Sequence, residues 1–199
     1  MIQERLCFGS CYHLYYPGNP QQAIFRLEED YYAFLDLYRK YVHPIAYLYG
    51  YCLLPTHFHL LLRIKDKKKI EYVYSDREML WGQFKNMFKA YIKYADQAYQ
   101  QSGISFTSGV VRGVPRNKEL ICDLIVYIHQ NPQIHGIVSD YRYWPFSSCY
   151  AYSCQDRRSM IAKEILLDPD CHRKIVENQI KARLRVMDCQ ADFDDFKPN

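Results

Sequence analysis

The sequence predicts an α+β fold: a ferredoxin-like βαββαβ antiparallel sheet, an added helix and a C-terminal helical tail. Three observations lead there. Residue patterns run strand, helix, strand, strand, helix, strand, helix before the tail. Turn-forming clusters separate them, at Pro17-Gly18-Asn19-Pro20, at Pro44, at Pro55-Thr56 and at Gln101-Ser102-Gly103. The run Leu54-Pro55-Thr56-His57-Phe58-His59-Leu60-Leu61-Leu62 reads as a buried strand that carries two histidines.

The elements follow in order. Tyr12 to Tyr16 is a short strand ended by the proline–glycine turn. Its His13 stands beside the histidine pair if the two strands are neighbours, as a structural residue or a ligand contact. Glu28 to Val42 is a helix, with Leu27, Tyr31, Phe34, Leu35 and Tyr38 at helical spacing and acids at the start, where they suit the dipole. Pro44 ends it. Ile45 to Leu54 and His57 to Ile64 are two strands joined at Pro55-Thr56. Lys65 to Lys69 is a basic loop.

Arg77 to Gln100 is the longest helical pattern, with Phe84, Phe88, Tyr91, Ile92, Ala95 and Tyr99 on its apolar face. Lys85, Lys89 and Lys93 recur once per turn without interleaved acids. Such a stripe is either solvated or turned to a polyanion. Phe106 to Val114 is a glycine-interrupted strand carrying Arg112, with Arg116 just beyond. Pro115 or Asn117 opens a helix through Leu120, Leu124, Ile125 and Ile128 to Pro132, which leaves Asn131 at its end because a residue before proline disfavours helical geometry. Tyr141 to Ser148 is an aromatic loop. Helical segments follow at Ile161 to Leu166 and Cys171 to Met187, and Asp188 to Asn199 reads as poorly ordered. Residues 1–150 are one domain and 151–199 a helical extension.

Composition narrows the function classes. A net charge of +4 and a pI of about 8.5 suit a phosphate-bearing partner. The 20 tyrosines serve equally as base-stacking surfaces or as core. No apolar run reaches membrane-spanning length, and Met1-Ile2-Gln3-Glu4-Arg5 lacks a signal pattern, so a cytoplasmic protein with reduced thiols is expected. The eight cysteines include no CxxC pair, and Cys7 with Cys11 or Cys149 with Cys154 are poorly spaced for zinc.

Alternation along a strand puts His57 and His59 on one face and Phe58 and Leu60 on the other. In the ferredoxin-like order the first and third strands are central, so the pair lies mid-sheet. Paired imidazoles backed by apolar residues have the geometry of a metal site. Tyr127 and Asn131 lie one helical turn apart, on the same face. An amide oxygen is an acceptable ligand for a hard cation. On spacing alone, Tyr127 as a packing residue and Asn131 as a cap is the plainer reading.

These segments together resemble the HUH single-tyrosine transposases, and among them the REP-associated tyrosine transposases. The histidine–hydrophobe–histidine run matches one motif. Tyr127-Ile128-His129-Gln130-Asn131-Pro132-Gln133-Ile134-His135-Gly136, followed by Tyr143-Trp144-Pro145-Phe146-Ser147-Ser148, is similar to the signature after it. Tyr12-His13 through Pro17-Gly18-Asn19 and Phe25 fits the same family. The resemblance implies a metal held by His57, His59 and Asn131, of which Asn131 varies most among relatives, and Tyr127 as nucleophile. It further implies Mg²⁺ or Mn²⁺, a single-stranded or hairpin DNA such as a repeated extragenic palindrome, and cleavage and strand transfer through a 5′-phosphotyrosine. Lys85, Lys89, Lys93, Arg112 and Arg116 are the candidate backbone contacts. Relatives act as monomers or as homodimers. Tyr91 and Tyr94 are alternative nucleophiles, and a nucleic-acid binding module without catalysis is the alternative function.

Overall fold

The structure, a computed structural model, describes residues 6–70, 77–100, 102–106, 109–154, 156 and 159–177. Its framework is a four-stranded antiparallel sheet, β1 (Cys11–Tyr16), β2 (Ala46–Leu53), β3 (Phe58–Ile64) and β4 (Val111–Gly113), in the order β2-β3-β1-β4. The helices are α1 (Glu28–Tyr41), α2 (Arg77–Tyr99), α3 (Lys118–Ile134), α4 (Cys149–Ser153), α5 (Lys163–Leu166) and α6 (Pro169–Glu177). β3 and β1 are the central pair, as the βαββαβ order requires.

The strict alternation of β3 gives the sheet two different faces. Phe58, Leu60, Leu62 and Ile64 are fully buried. Phe58 packs against Phe34 of α1, Phe88 of α2 and Phe106, with ring centroids 5.0–6.0 Å apart. This face holds the aromatic core under α1 and α2. The opposite face carries His13, Tyr15, His57 and His59 and lies under α3.

A buried carboxylate locks α1 to α2. Asp30, 1% exposed, accepts from the backbone N–H of Arg26 at 2.6 Å and of Leu27 at 3.0 Å, and from the hydroxyls of Tyr99 at 2.7 Å and Tyr94 at 3.1 Å. Two of these bonds satisfy donors at the start of α1 that no helical carbonyl reaches. The Arg26 guanidinium lies 4.4 Å from the Tyr99 ring centroid and closes the cluster.

The outer edge of β2 is covered by the chain that follows α3. Leu53 N–H donates to the Phe146 carbonyl at 2.9 Å and Ser148 N–H to Tyr51 at 3.0 Å. Ala162 N–H donates to Leu48 at 2.9 Å. An edge that would otherwise recruit another strand is thereby filled. The aromatic loop is therefore structural: Phe146 stacks on Tyr31 at 3.9 Å, and Trp144 Nε1–H donates to the Leu53 carbonyl at 2.8 Å.

Four expectations are corrected. First, α3 runs through Pro132 instead of stopping at it. Asn131 is helical and buried, since tertiary packing of Asn131 and Pro132 overrides the local pre-proline preference. The helix stops at Gly136, whose φ of +68° lets Gly136 N–H reach Gln133 O at 3.0 Å and Ile137 N–H reach Pro132 O at 2.8 Å. Second, the fourth strand is Val111–Gly113 among the described residues: Phe106, expected to open it, is not in a strand and packs in the aromatic core, and residues 107–108 lie outside the described residues. Third, the cysteines are not all reduced: a disulfide joins Cys122 of α3 to Cys171 of α6, with Cα atoms 5.2 Å apart. The helices lie side by side there, with Lys118 Nζ 2.6 Å from Asp168 and Lys174 Nζ 2.8 Å from Glu119. Fourth, the helix expected at Cys171 begins at Pro169. Its expected continuation to Met187 and the tail from Asp188 to Asn199 lie outside the described residues. The expected division after residue 150 falls inside α4, and Ile161, Ile165 and Cys171 share the main hydrophobic cluster. Among the described residues no helix is long and apolar enough to cross a membrane.

Asp30→Ala strands four donors, two of them backbone, and is expected to lower unfolding stability by about 2–4 kcal/mol. Urea unfolding followed by circular dichroism measures it. A loss under about 0.5 kcal/mol, the range of ordinary surface substitutions, would show that water replaces the carboxylate.

Candidate functional site

The site forms where the start of β3 meets the second half of α3. His57 precedes the strand and is fixed from below: its Nδ1 lies 3.0 Å from Thr56 Oγ1. Gly18 presses against this turn. Its φ is +73°, and a Cβ there would collide with the Thr56 carbonyl oxygen and touch His57. Only glycine meets both demands. His59 follows on the same face, with its ring centroid 5.7 Å from that of His57. Its Nδ1 lies 3.0 Å from Nε2 of His13 on the neighbouring strand.

α3 supplies the other half. Tyr127, Asn131 and His135 recur one turn apart and share one face of the helix. The Tyr127 ring lies edge-on to His59 at 5.8 Å between centroids, within one chain. Asn131 Nδ2 donates to the Tyr127 carbonyl at 2.8 Å, which fixes the amide with Oδ1 turned away from its own helix. Asn131 approaches His59 closely enough to favour its protonated form, yet Oδ1 makes no well-formed hydrogen bond. His135 closes the rim at 4.5 Å from the His57 ring and is exposed.

Among the candidate ligands, two buried polar atoms have no hydrogen-bond partner: His57 Nε2 and Asn131 Oδ1. Unpaired buried polar atoms are rare and costly, and with the His57 proton on Nδ1, donating to Thr56 Oγ1, both atoms offer a lone pair to a cation. Burial pushes the His57 imidazole down to about 4, with His135 adding repulsion, and pushes His13 to about 4. His59 lies well below its ordinary value, through burial first and the neighbouring imidazoles second. The rings are therefore neutral near pH 7, which is the form that donates a lone pair to a metal. Two imidazole nitrogens and an amide oxygen fit a divalent cation of intermediate hardness such as Mn²⁺, and Mg²⁺ less fully. Among the described residues, no three His, Cys, Asp or Glu side chains converge as ligands, so this donor set depends on the asparagine.

The remaining expected residues lie elsewhere. Lys85, Lys89 and Lys93 are exposed on the outer side of α2, across the sheet from the imidazoles. Arg112 lies 4.5 Å over the Trp81 ring, on the same far side. Arg116 is exposed in the turn before α3. Tyr91 and Tyr94 are excluded as nucleophiles at this site. They sit in the α2 layer, donating to the Ile24 carbonyl at 2.6 Å and to Asp30 at 3.1 Å. Two residues at the site carry no role in the sequence reading: His135, whose signal is the helical spacing from Tyr127 and Asn131, and Tyr15, which lies opposite His59 in the ladder with its ring 5.7 Å away.

His129 points the other way, as its position on the helix requires. It is buried, and its Nε2 lies 2.7 Å from Ser148 Oγ. That hydroxyl in turn reaches the Tyr51 carbonyl at 3.3 Å and accepts from Tyr51 N–H at 3.0 Å.

Among solved structures, a REP-associated tyrosine transposase bound to a REP hairpin shares this fold with a TM-score of 0.57. It is 15% identical, over 81% of this chain and 91% of that chain. No protein-family model and no curated protein matches the chain.

Burial holds His129 at about 3 and His13 and His57 at about 4, against an ordinary 6.5. In the unfolded chain these rings take up protons near pH 6.5, and in the folded chain they do not. Stability from this source is full above that pH and is lost as pH falls toward 4. The urea midpoint is expected to fall between pH 7 and pH 4.5, with a shallower slope in His129→Gln. Equal slopes in both proteins would show that His129 is not held neutral.

Proposed function

We propose that this chain is a metal-dependent, single-stranded DNA endonuclease and strand transferase of the tyrosine transposase type. The observation that carries the reading is the pair of partnerless buried atoms, His57 Nε2 and Asn131 Oδ1, beside the Tyr127–His59 contact. A fold shared with a hairpin-bound tyrosine transposase supports it.

His57, His59 and Asn131 would hold a divalent cation, Mg²⁺ or Mn²⁺. When bound, it supplies positive charge that polarises the scissile phosphate. Tyr127 is the nucleophile. Its oxygen forms a bond to phosphorus, the bond from phosphorus to the 3′ oxygen breaks, and the tyrosine proton is passed on so that a 3′-hydroxyl leaves. The 5′-phosphotyrosine keeps the phosphodiester energy for rejoining, which a water-derived product would lose. Asn131 ties the amide donor and the nucleophile to one turn of α3, so both approach the phosphate in fixed relation.

The substrate is hairpin DNA with an unpaired flank. Arg116, at the start of α3, is the phosphate contact nearest that helix. The exposed Lys85, Lys89 and Lys93 give a second basic face on the far layer, reached by DNA that passes round the molecule. Arg112, over Trp81, belongs to that layer as well.

With a hairpin oligonucleotide and Mn²⁺, the wild-type chain is expected to form a denaturation-resistant DNA adduct. Tyr127→Phe should abolish the adduct and retain binding. Tyr15→Phe is the control, since its ring also borders His59. An adduct that survives in Tyr127→Phe and disappears in Tyr15→Phe would reassign the nucleophile. Binding without any adduct would favour a non-catalytic module. Replacing Lys85, Lys89 and Lys93 together by Gln should reduce the slope of log affinity against log salt by about 2–3, three phosphate contacts' worth. An unchanged slope removes that stripe from the interface.

A further inference from the structure

Building on the metal-site reading above, we infer that His13 is a positioning residue: it accepts the Nδ1 proton of His59 and so keeps the Nε2 lone pair of His59 available to the site. His13 Nε2 and His59 Nδ1 are 3.0 Å apart, in rings inclined by 15° with centroids 5.2 Å apart. Both rings are buried, at 3% and 5% exposure, so water does not compete for this contact. Between two neutral imidazoles one nitrogen donates and the other accepts.

The direction follows from the chemistry of ligation. A coordinating nitrogen carries no proton. If His59 coordinates through Nε2, its single proton is on Nδ1, and His13 Nε2 is the acceptor. The opposite arrangement protonates His59 Nε2 and removes a donor from the site. Metal-bound histidines are held in this way by a partner on their second nitrogen, usually a carboxylate, a carbonyl or water. Here an imidazole fills that place.

The ladder explains the position. Tyr15 is opposite His59 and His13 opposite Leu61, so His13 reaches His59 on the diagonal across the central strand pair. Tyr15 stacks on both rings, at 5.2 Å from His13 with a 27° tilt and at 5.7 Å from His59 with a 21° tilt, which confines them sideways. A phenylalanine at position 13 would fill the volume without offering an acceptor. A glutamine offers a carbonyl.

The test uses the full chain labelled with ¹⁵N in histidine. Long-range proton–nitrogen spectra of the metal-free protein report the His59 tautomer, and Mn²⁺ titration followed by electron paramagnetic resonance reports affinity. The expected result is an Nδ1–H tautomer for His59 in the wild type. His13→Phe should shift it toward Nε2–H and weaken Mn²⁺ binding about 10–100-fold. His13→Gln should restore most of both. An Nε2–H tautomer in the wild type, or Mn²⁺ affinity within twofold of wild type in a folded His13→Phe, would overturn the assignment. The wild-type tautomer decides the matter even where a variant does not fold. A wild-type chain that binds no Mn²⁺ refutes the metal reading instead, and the metal-free spectrum still judges His13.

Discussion

The candidate site depends on the rotation of one helix about its own axis. Tyr127, Asn131 and His135 face the sheet histidines only if α3 presents that side. What sets the rotation is the junction at Ser148, where a single hydroxyl meets the Tyr51 backbone and His129. His129 occupies the face of α3 turned from Tyr127, so fixing one fixes the other. The chain after α3 reaches this junction because Trp144, Phe146 and Ser148 lay it along the edge of β2. The aromatic segment after α3 is thus the clamp that aims the helix.

The sheet divides the labour between its faces. One face is an aromatic core in which Asp30 ties the two covering helices together. The other carries neutral imidazoles whose charge is suppressed by burial. Strand alternation lets one element, β3, serve both, with Phe58 and His59 adjacent in the chain and opposite in space. The basic stripe of α2 belongs to the first face, so its positive charge and the imidazole cluster lie on different layers.

Much of this was legible in the residues. The histidine pair, the central position of its strand and the shared face of Tyr127 and Asn131 follow from periodicity and element order. Other features depended on distances that periodicity does not carry. His13 meets His59 only through the register of β1 on β3, which the connecting segments determine. The continuation of α3 past Asn131 went against the local rule for residues before proline, because buried packing and the stop at Gly136 outweigh it. Cys122 and Cys171 are 49 residues apart, and nothing in their spacing announces a bond. Lys85, Lys89 and Lys93 were recognisable as a stripe, but the layer they occupy was not.

The covalent link from α3 to α6 has a mechanical corollary. Tyr127 lies little more than one turn beyond Cys122 on the same rigid rod. While that bond is closed, any swing of the tyrosine-bearing rod hauls the C-terminal segment along with it, and the hinge for such travel must lie outside both helices. Reduction would remove the covalent tie alone, since the Lys118–Asp168 and Glu119–Lys174 pairs still hold the two segments side by side, and hydroxyl, amide and rim imidazole remain on one body.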